Sequence, residues 1–319
     1  MNTADLELFN KFFTELISVK NNLTFETASK QYEVDILSVK AKNTQRNYKA
    51  AIKYQYEYLP ANFPLRLITK QIAQKFIYSY FERGKEQQAV SLHRSLRAIF
   101  NWFIEVEYIS LNPFKFKPLK VKTHLPVYLT EDQFYFLLGF IRSLLLRDFY
   151  SILYFTGLRA GELCNLQIAN IDLTERILKV SNSETFSTKS KRERIIPMNQ
   201  TVYEIIKNRL PQVHYLNRKH YIFYRIDSTI PLTVDYVSKQ FKKAVRLSGL
   251  NPSLHLHSLR HSFCSNLVNA NVSLYTVQQL AGHANAKTTA IYAHSNSDSL
   301  RNAVNQLGNF SPTNKKEVI

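Results

Sequence analysis

Apolar residues recur at helical spacing from the start of the chain. Leu6, Phe9, Phe13, Leu16 and Ile17 fall on one stripe and predict an extra N-terminal helix within residues 1–22. TFETASKQYEVDILSV begins at a helix-capping threonine, Thr24, and NTQRNYKAAIKYQYEYLP begins at another, Thr44, and stops before Pro60. ITKQIAQKFIYSYFERG closes on Gly84, and SLHRSLRAIFNWFIEVEYI follows. Together these segments predict a helical domain over residues 23–113. Pro113, Pro118 and Pro126 then break the pattern and set off residues 114–126 as a linker. Beyond it, LTEDQFYFLLGFIRSLLLRDFYSILYFTG is apolar at helical spacing and reads as core. The short runs NIDL, RILKVS and RERIIPM read as strands, with the polar stretch NSETFSTKSK turning a hairpin between the last two. Helical periodicity resumes in TVYEIIKNRL, VDYVSKQFKKAVRLSGL, HSLRHSFCSNLVNA and LYTVQQLAG. The expected fold is mainly α, with a small antiparallel β-sheet in a C-terminal domain spanning residues 127–308 and a flexible tail over 309–319.

Composition narrows the class of partner. Lys and Arg number 42 against 24 Asp and Glu, a net charge of +18, which calls for an anionic partner, and nucleic acid fits best. Exposed-face candidates in the helical domain are rich in cations and hydrogen-bonding side chains: Lys40, Lys42, Gln45, Arg46, Lys49, His93, Arg94 and Arg97. They read either as a DNA-contacting face or as an ordinary solvated one. Lys115, Lys117, Lys120 and Lys122 make the linker basic, suited to a path along a phosphate backbone and equally to a plain interdomain connection. Two cysteines, Cys164 and Cys264, cannot build a disulfide framework and fit a reducing compartment. The N-terminal stretch carries acids and no basic n-region, unlike a secretory signal, and no run of about 18 apolar residues is present. The expectation is a cytoplasmic protein with no membrane association.

Four stretches carry candidate chemistry. In TGLRAGEL, Arg159 and Glu162 share a helical face, with Gly157 and Gly161 on either side of the arginine. In HSLRH, His257, Arg260 and His261 share a face, with Leu259, Phe263 and Leu267 on the buried side. The i, i+4 histidines suggest zinc, but the HExxH glutamate is missing and an adjacent arginine repels a cation. STKSKRERIIP offers Lys189, Lys191 and Arg192 in a polar hairpin. LAGHANAKTTAIYAH sets His283 and Tyr292 nine positions apart, and alone Tyr292 reads as one packed or surface aromatic among 19 tyrosines. As a set, these groups are what metal-free phosphodiester chemistry needs. Arginines bind phosphate oxygens and stabilise charge building on phosphorus. A phenol supplies a covalent nucleophile. Lysine or histidine protonates the leaving alkoxide.

In their order and spacing, TGLRAGEL, TKSKRERIIP, HSLRH, LAGH and IYAH resemble the tyrosine site-specific recombinases, or phage-integrase family, in its two-domain Xer-like and integrase-like form. The likeness runs from about residue 24 to 305 and implies a core-binding domain followed by a catalytic domain that clamp duplex DNA. Carried over, it implies that Arg159 and Arg260 hold the scissile phosphate, that His257 assists proton transfer at the nucleophile, and that His283 hydrogen-bonds the phosphate. Lys189, with Lys191 as the neighbouring alternative, would protonate the leaving 5′ oxygen, and Glu162 would support the site. Tyr292 would attack phosphorus to give a 3′-phosphotyrosyl bond, with no cofactor, metal or ATP. LAGH replaces the more usual LLGH, a change expected to affect packing only. Leu300, Val304 and Leu307 mark a C-terminal helix that docks at home or on a neighbouring protomer. The implied assembly is a tetramer on two DNA sites, and a monomer or dimer without DNA. Two alternatives share the fold: a DNA-binding protein that does not cleave, and a monomeric nicking–closing topoisomerase. A metal-dependent nuclease is disfavoured, because no carboxylate cluster appears among the motifs.

Overall fold

The computed structural model describes residues 23–117, 121, 125–181, 193–210, 220–225, 230–283 and 285–292. The expectations for residues 1–22, for Lys120 and Lys122, for Lys189, Lys191 and Arg192, and for the helix and tail beyond Tyr292 fall outside that set. The chain divides into two compact units, residues 1–123 and 124–319.

The first unit holds four helices, α1 (Phe25–Asp35), α2 (Lys42–Tyr58), α3 (Lys70–Glu82) and α4 (Glu86–Glu105). Thr24 caps α1 as its sequence position predicts, its hydroxyl accepting from Thr27 N–H. Thr44 does not cap α2; that helix starts two residues earlier, after Ala41, which makes no side-chain cap bond. Gln45 explains the shift: its amide donates back to Lys40 O at 2.8 Å and Ser38 O at 3.3 Å, tying the first turn to the loop before it. The core is largely aromatic. Phe25 stacks on Phe100 at 5.9 Å, and Phe100 meets Phe103 and Phe114 at 5.0 Å each, all four rings fully buried.

Two expectations change here. His93, read as a candidate for the exposed basic face, is buried; its Nε2 lies 2.9 Å from Phe114 O, and burial lowers its pKa. Its place on α4, one residue beyond Leu92 and three before Leu96, puts it on the core side. Phe114 and Phe116, assigned to the linker, are core residues of the first unit, while Lys115 and Lys117 between and beyond them are exposed. Alternation, not helical spacing, carries the chain across the core surface there.

The second unit begins with α5 (Glu131–Gly139), opened by a capping box in which Thr130 and Gln133 satisfy each other's backbone N–H. The apolar run that follows is not one helix. It breaks after Gly139, and Ser143 caps a new one, α6 (Leu144–Thr156), accepting from Leu146 N–H. Gly157 ends α6 at φ +63°, and the short α7 (Ala160–Cys164) follows. The predicted sheet is present as an antiparallel meander of β1 (Ile171–Asp172), β2 (Ile177–Val180) and β3 (Arg194–Pro197). Its register pairs Leu178 with Ile196, both buried, and Val180 with Arg194. Helices α8 (Gln200–Arg209), α9 (Val234–Ser248), α10 (Ser258–Asn269), α11 (Leu274–Ala281) and α12 (Ala286–Ala290) complete it.

This core fixes α10 in place. Phe134 stacks flat on Tyr154 at 4.0 Å, and the Tyr150 hydroxyl donates to Val237 O at 2.7 Å, joining α6 to α9. Helix α10 packs on α6 and α11 with Leu259, Ser262 and Cys264 fully buried. A helix held on several sides presents its polar residues with little freedom, which suits a site made of charged groups.

Candidate active site

Glu162 sits at the centre of the site. Its side chain is 2 % exposed, and each carboxylate oxygen accepts two hydrogen bonds. Oε1 takes Arg159 Nη1 at 2.8 Å and Arg194 Nη1 at 3.1 Å; Oε2 takes Arg194 Nη2 at 2.6 Å and Arg159 N–H at 2.8 Å. Burial opposes ionisation, but hydrogen bonds and charge from Arg194, then Arg159, outweigh it and hold the carboxyl below its ordinary pKa. Arg159 itself stays partly open, its side chain 23 % exposed, and its Nη2 makes only a 3.5 Å contact to Gly282 O.

Arg260 is anchored differently. On α10 it is 3 % exposed, and backbone carbonyls grip both ends of its guanidinium: Nη1 donates to Gly157 O and Nη2 to Ala281 O, each at 2.6 Å. Gly157 has to be glycine on two counts, its positive φ and the ring of Phe263, which would lie 2.3 Å from an added Cβ. Burial and the nearby Arg159 charge lower the Arg260 pKa to about 10, so it remains a cation at neutral pH. Among the described residues of the pocket, three guanidinium groups stand with one carboxylate, which bonds two of them, so their positive charge is in excess.

Three histidines border that charge, and all have depressed pKa values. His283 is buried after the C-terminal end of α11; burial, then Arg260 and Arg159, lowers it to about 4. Its Nδ1 lies 2.9 Å from the Thr289 hydroxyl, which fixes the ring. His261 is lowered to about 4 by burial, His255 and Arg260. His257, at the start of α10, meets His261 edge-to-face at 4.8 Å. The protein packed around it, then His261 and Arg260, lowers its pKa to about 3, although the residue is exposed on one side.

Tyr292 lies against this group. Its ring runs parallel to that of His283, 6.4 Å away at 9°, and its hydroxyl lies 2.6 Å from His261 Nδ1. The residue is 5 % exposed, in a small apolar cluster with Cys264, Val277 and Ala281. Burial, then Cys264, raises the phenol pKa above its ordinary value. Tyr292 is thus sheltered, with its proton held.

The profile of the phage integrase family matches residues 128–299, more than half of the chain. The chain belongs to that family. The tyrosine recombinase XerA of Pyrococcus horikoshii is 31 % identical over 280 residues, 84 % of this chain and 88 % of the relative. Among solved structures, the Tn1549 transposon integrase in complex with transposon right end DNA aligns at 25 % identity and TM-score 0.73, over 90 % of this chain and all of that one. A lambda integrase tetramer bound to a Holliday junction shares the fold at 24 % identity and TM-score 0.70, over 89 % and 85 %. The protein is a tyrosine site-specific recombinase.

In this recombinase Arg159, Glu162, His257, Arg260, His283 and Tyr292 converge in the second unit, drawn from the starts of α7 and α10 and the segment after α11. Lys189 falls outside the described residues, as do its neighbours Lys191 and Arg192. In the first unit Lys42, Arg46, Lys49, Arg94, Arg97, Lys115 and Lys117 are all exposed. Among the described residues no group of three or more His, Cys, Asp or Glu could hold a metal ion, and no helix is long and apolar enough to cross a membrane. The sequence reading did not single out Arg194. The one signal for it was a charge at the start of a β-strand that is otherwise apolar.

Proposed function

We propose that the recombinase cuts and rejoins duplex DNA through Tyr292. Arg159 and Arg260 hold the scissile phosphate and stabilise the charge that builds on phosphorus. The Tyr292 oxygen bonds to phosphorus, the bond to the 5′ oxygen breaks, and Lys189 gives the leaving oxygen its proton. The products are a 3′-phosphotyrosyl bond and a free 5′ hydroxyl. The hydroxyl of a partner strand then attacks the same phosphorus and releases the tyrosine. Phosphodiester energy is kept throughout, so the chemistry needs neither ATP nor a metal. His283 hydrogen-bonds the phosphate, and His257 moves the proton at the nucleophile.

The observation that carries this reading is the under-compensated pocket of three guanidinium groups and one carboxylate beside Tyr292. A phosphate fits such a charge imbalance. The Tyr292 hydroxyl is hydrogen-bonded to His261 Nδ1 at 2.6 Å, and attack on phosphorus requires it to give up its proton. The first unit, with its exposed cations, serves as the core-binding domain, and the basic stretch after it tracks the backbone. A tetramer on two DNA sites is the working assembly, by analogy with the lambda integrase tetramer. The setting is the cytoplasm, and the biological role is integration and excision, transposition or replicon resolution.

The test is a nicked suicide duplex that traps the covalent adduct. Wild type accumulates a protein–DNA species resistant to denaturant, also in EDTA, and Tyr292→Phe binds DNA but forms none. An adduct on Tyr292→Phe would assign the nucleophile to another residue.

A further inference from the structure

Arg194 is the least exposed charged group at the site that phosphate chemistry leaves without a task, its side chain 8 % exposed. It stands at the start of β3, paired with Val180 of β2. Its guanidinium does two things. Nη1 and Nη2 grip both oxygens of Glu162, at 3.1 and 2.6 Å. Nε donates to Leu280 O at 3.2 Å, at the end of α11. The next carbonyls along, Ala281 O and Gly282 O, are the ones that contact Arg260 and Arg159. Gly282 leaves the room this needs: a Cβ there would lie 2.9 Å from Arg194 Cδ, and its φ is +67°.

The arrangement has an electrostatic consequence. Glu162 alone against Arg159 would form a closed pair, two charges cancelling at 2.8 Å with the carboxylate free to take a second guanidinium N–H. Arg194 occupies half of the carboxylate's acceptor capacity. Arg159 is left with one firm side-chain bond, and its other edge makes only the 3.5 Å contact to Gly282 O.

We propose that Arg194 is a positioning residue for strand cleavage: by sharing Glu162 and holding the end of α11, it keeps Arg159 charged toward the phosphate and sets the carbonyls that aim both phosphate-binding arginines. It need not touch DNA. This rests on the reading of Arg159 and Arg260 as the phosphate holders.

The experiment compares single-turnover adduct formation on the suicide duplex for wild type, Arg194→Met, Arg194→Lys, Glu162→Gln and the double variant Arg194→Met/Glu162→Gln, with duplex affinity and melting temperature measured for each. Arg194→Met is expected to slow adduct formation by about tenfold or more, the scale of losing one preorganised electrostatic contact, with duplex affinity little changed. Adding Glu162→Gln removes the charge that then captures Arg159, and should return the rate to within about threefold of Glu162→Gln alone, a coupling expected only of residues that act on each other. The Arg194→Met deficit should also shrink as pH falls, because a Glu162 deprived of Arg194 takes up a proton more readily. A residue that only braced the fold would lower the melting temperature without this rescue or this pH dependence. Should Arg194→Met fail to fold, Arg194→Lys keeps a cation in place, and its smaller loss should be rescued by Glu162→Gln in the same way. Wild-type rates in a folded Arg194 variant, or no rescue by Glu162→Gln, would overturn the proposal. Tyr292→Phe, run alongside, separates this outcome from an error in the nucleophile.

Discussion

His261→Leu should make Tyr292 more reactive, although His261 touches this proposed nucleophile. The leucine removes the Nδ1 that is hydrogen-bonded to the phenol at 2.6 Å and puts an apolar side chain beside the cluster of Tyr292, Cys264, Val277 and Ala281. The sheltered tyrosine, 5 % exposed, would then keep its hydroxyl among apolar groups without its imidazole partner. Leaving a buried hydroxyl unpaired costs about 1–3 kcal/mol, which would shift the balance toward a released tyrosine by roughly 5- to 150-fold. His261 is only partly buried and the Cys264 thiol lies close, so water or sulfur recovers some of that, and the lower end, about fivefold, is the working figure. The assay is single-turnover adduct formation at saturating suicide duplex, with nitration of Tyr292 by tetranitromethane as a separate measure of exposure. Both rates should rise. A slower adduct rate with unchanged DNA affinity would mean that His261 assists the attack rather than sheltering the phenol, and unchanged values in both assays would mean that the bond holds nothing back.

Two further outcomes follow from burial elsewhere. Gln55 in α2 is fully buried, and neither side-chain amide atom has a hydrogen-bond partner among the described residues; Gln55→Leu should stabilise the protein by about 1–2 kcal/mol in denaturant titration, and a loss of stability would show that the amide is bonded in solution. His261 and His283 both have folded pKa values of about 4 against 6.5 unfolded, so between those values the unfolded chain binds more protons. Stability should therefore be full above about pH 6.5 and decline as pH falls toward 4; a melting temperature that stays flat from pH 8 to 4.5 would contradict the neutral, crowded histidines.

Local signals were readable where the chain solves its own problem. Thr24 and Thr130 cap their helices through bonds to residues three positions on, and the strand runs carry their alternation within four residues. The break at Gly139 was hidden because the apolar pattern continues through it; Ser143 was the available cue. His93 was misplaced because it sits beside arginines in sequence but points at Phe114, 21 residues away. The active site divides in the same way. Its residue types and spacing were visible, since Arg159 and Glu162 are three apart. Arg194 was not, because its partners lie 32 and 86 residues away and only folding brings them together. Nor could spacing say that Tyr292 would turn its hydroxyl to His261.

The grip of Gly157 O and Ala281 O on Arg260 means that this arginine takes its working position as the polypeptide folds, before any nucleic acid arrives. Its ordering entropy is spent once, at birth, rather than at every turnover. A cage that is always ready cannot itself decide when to cut.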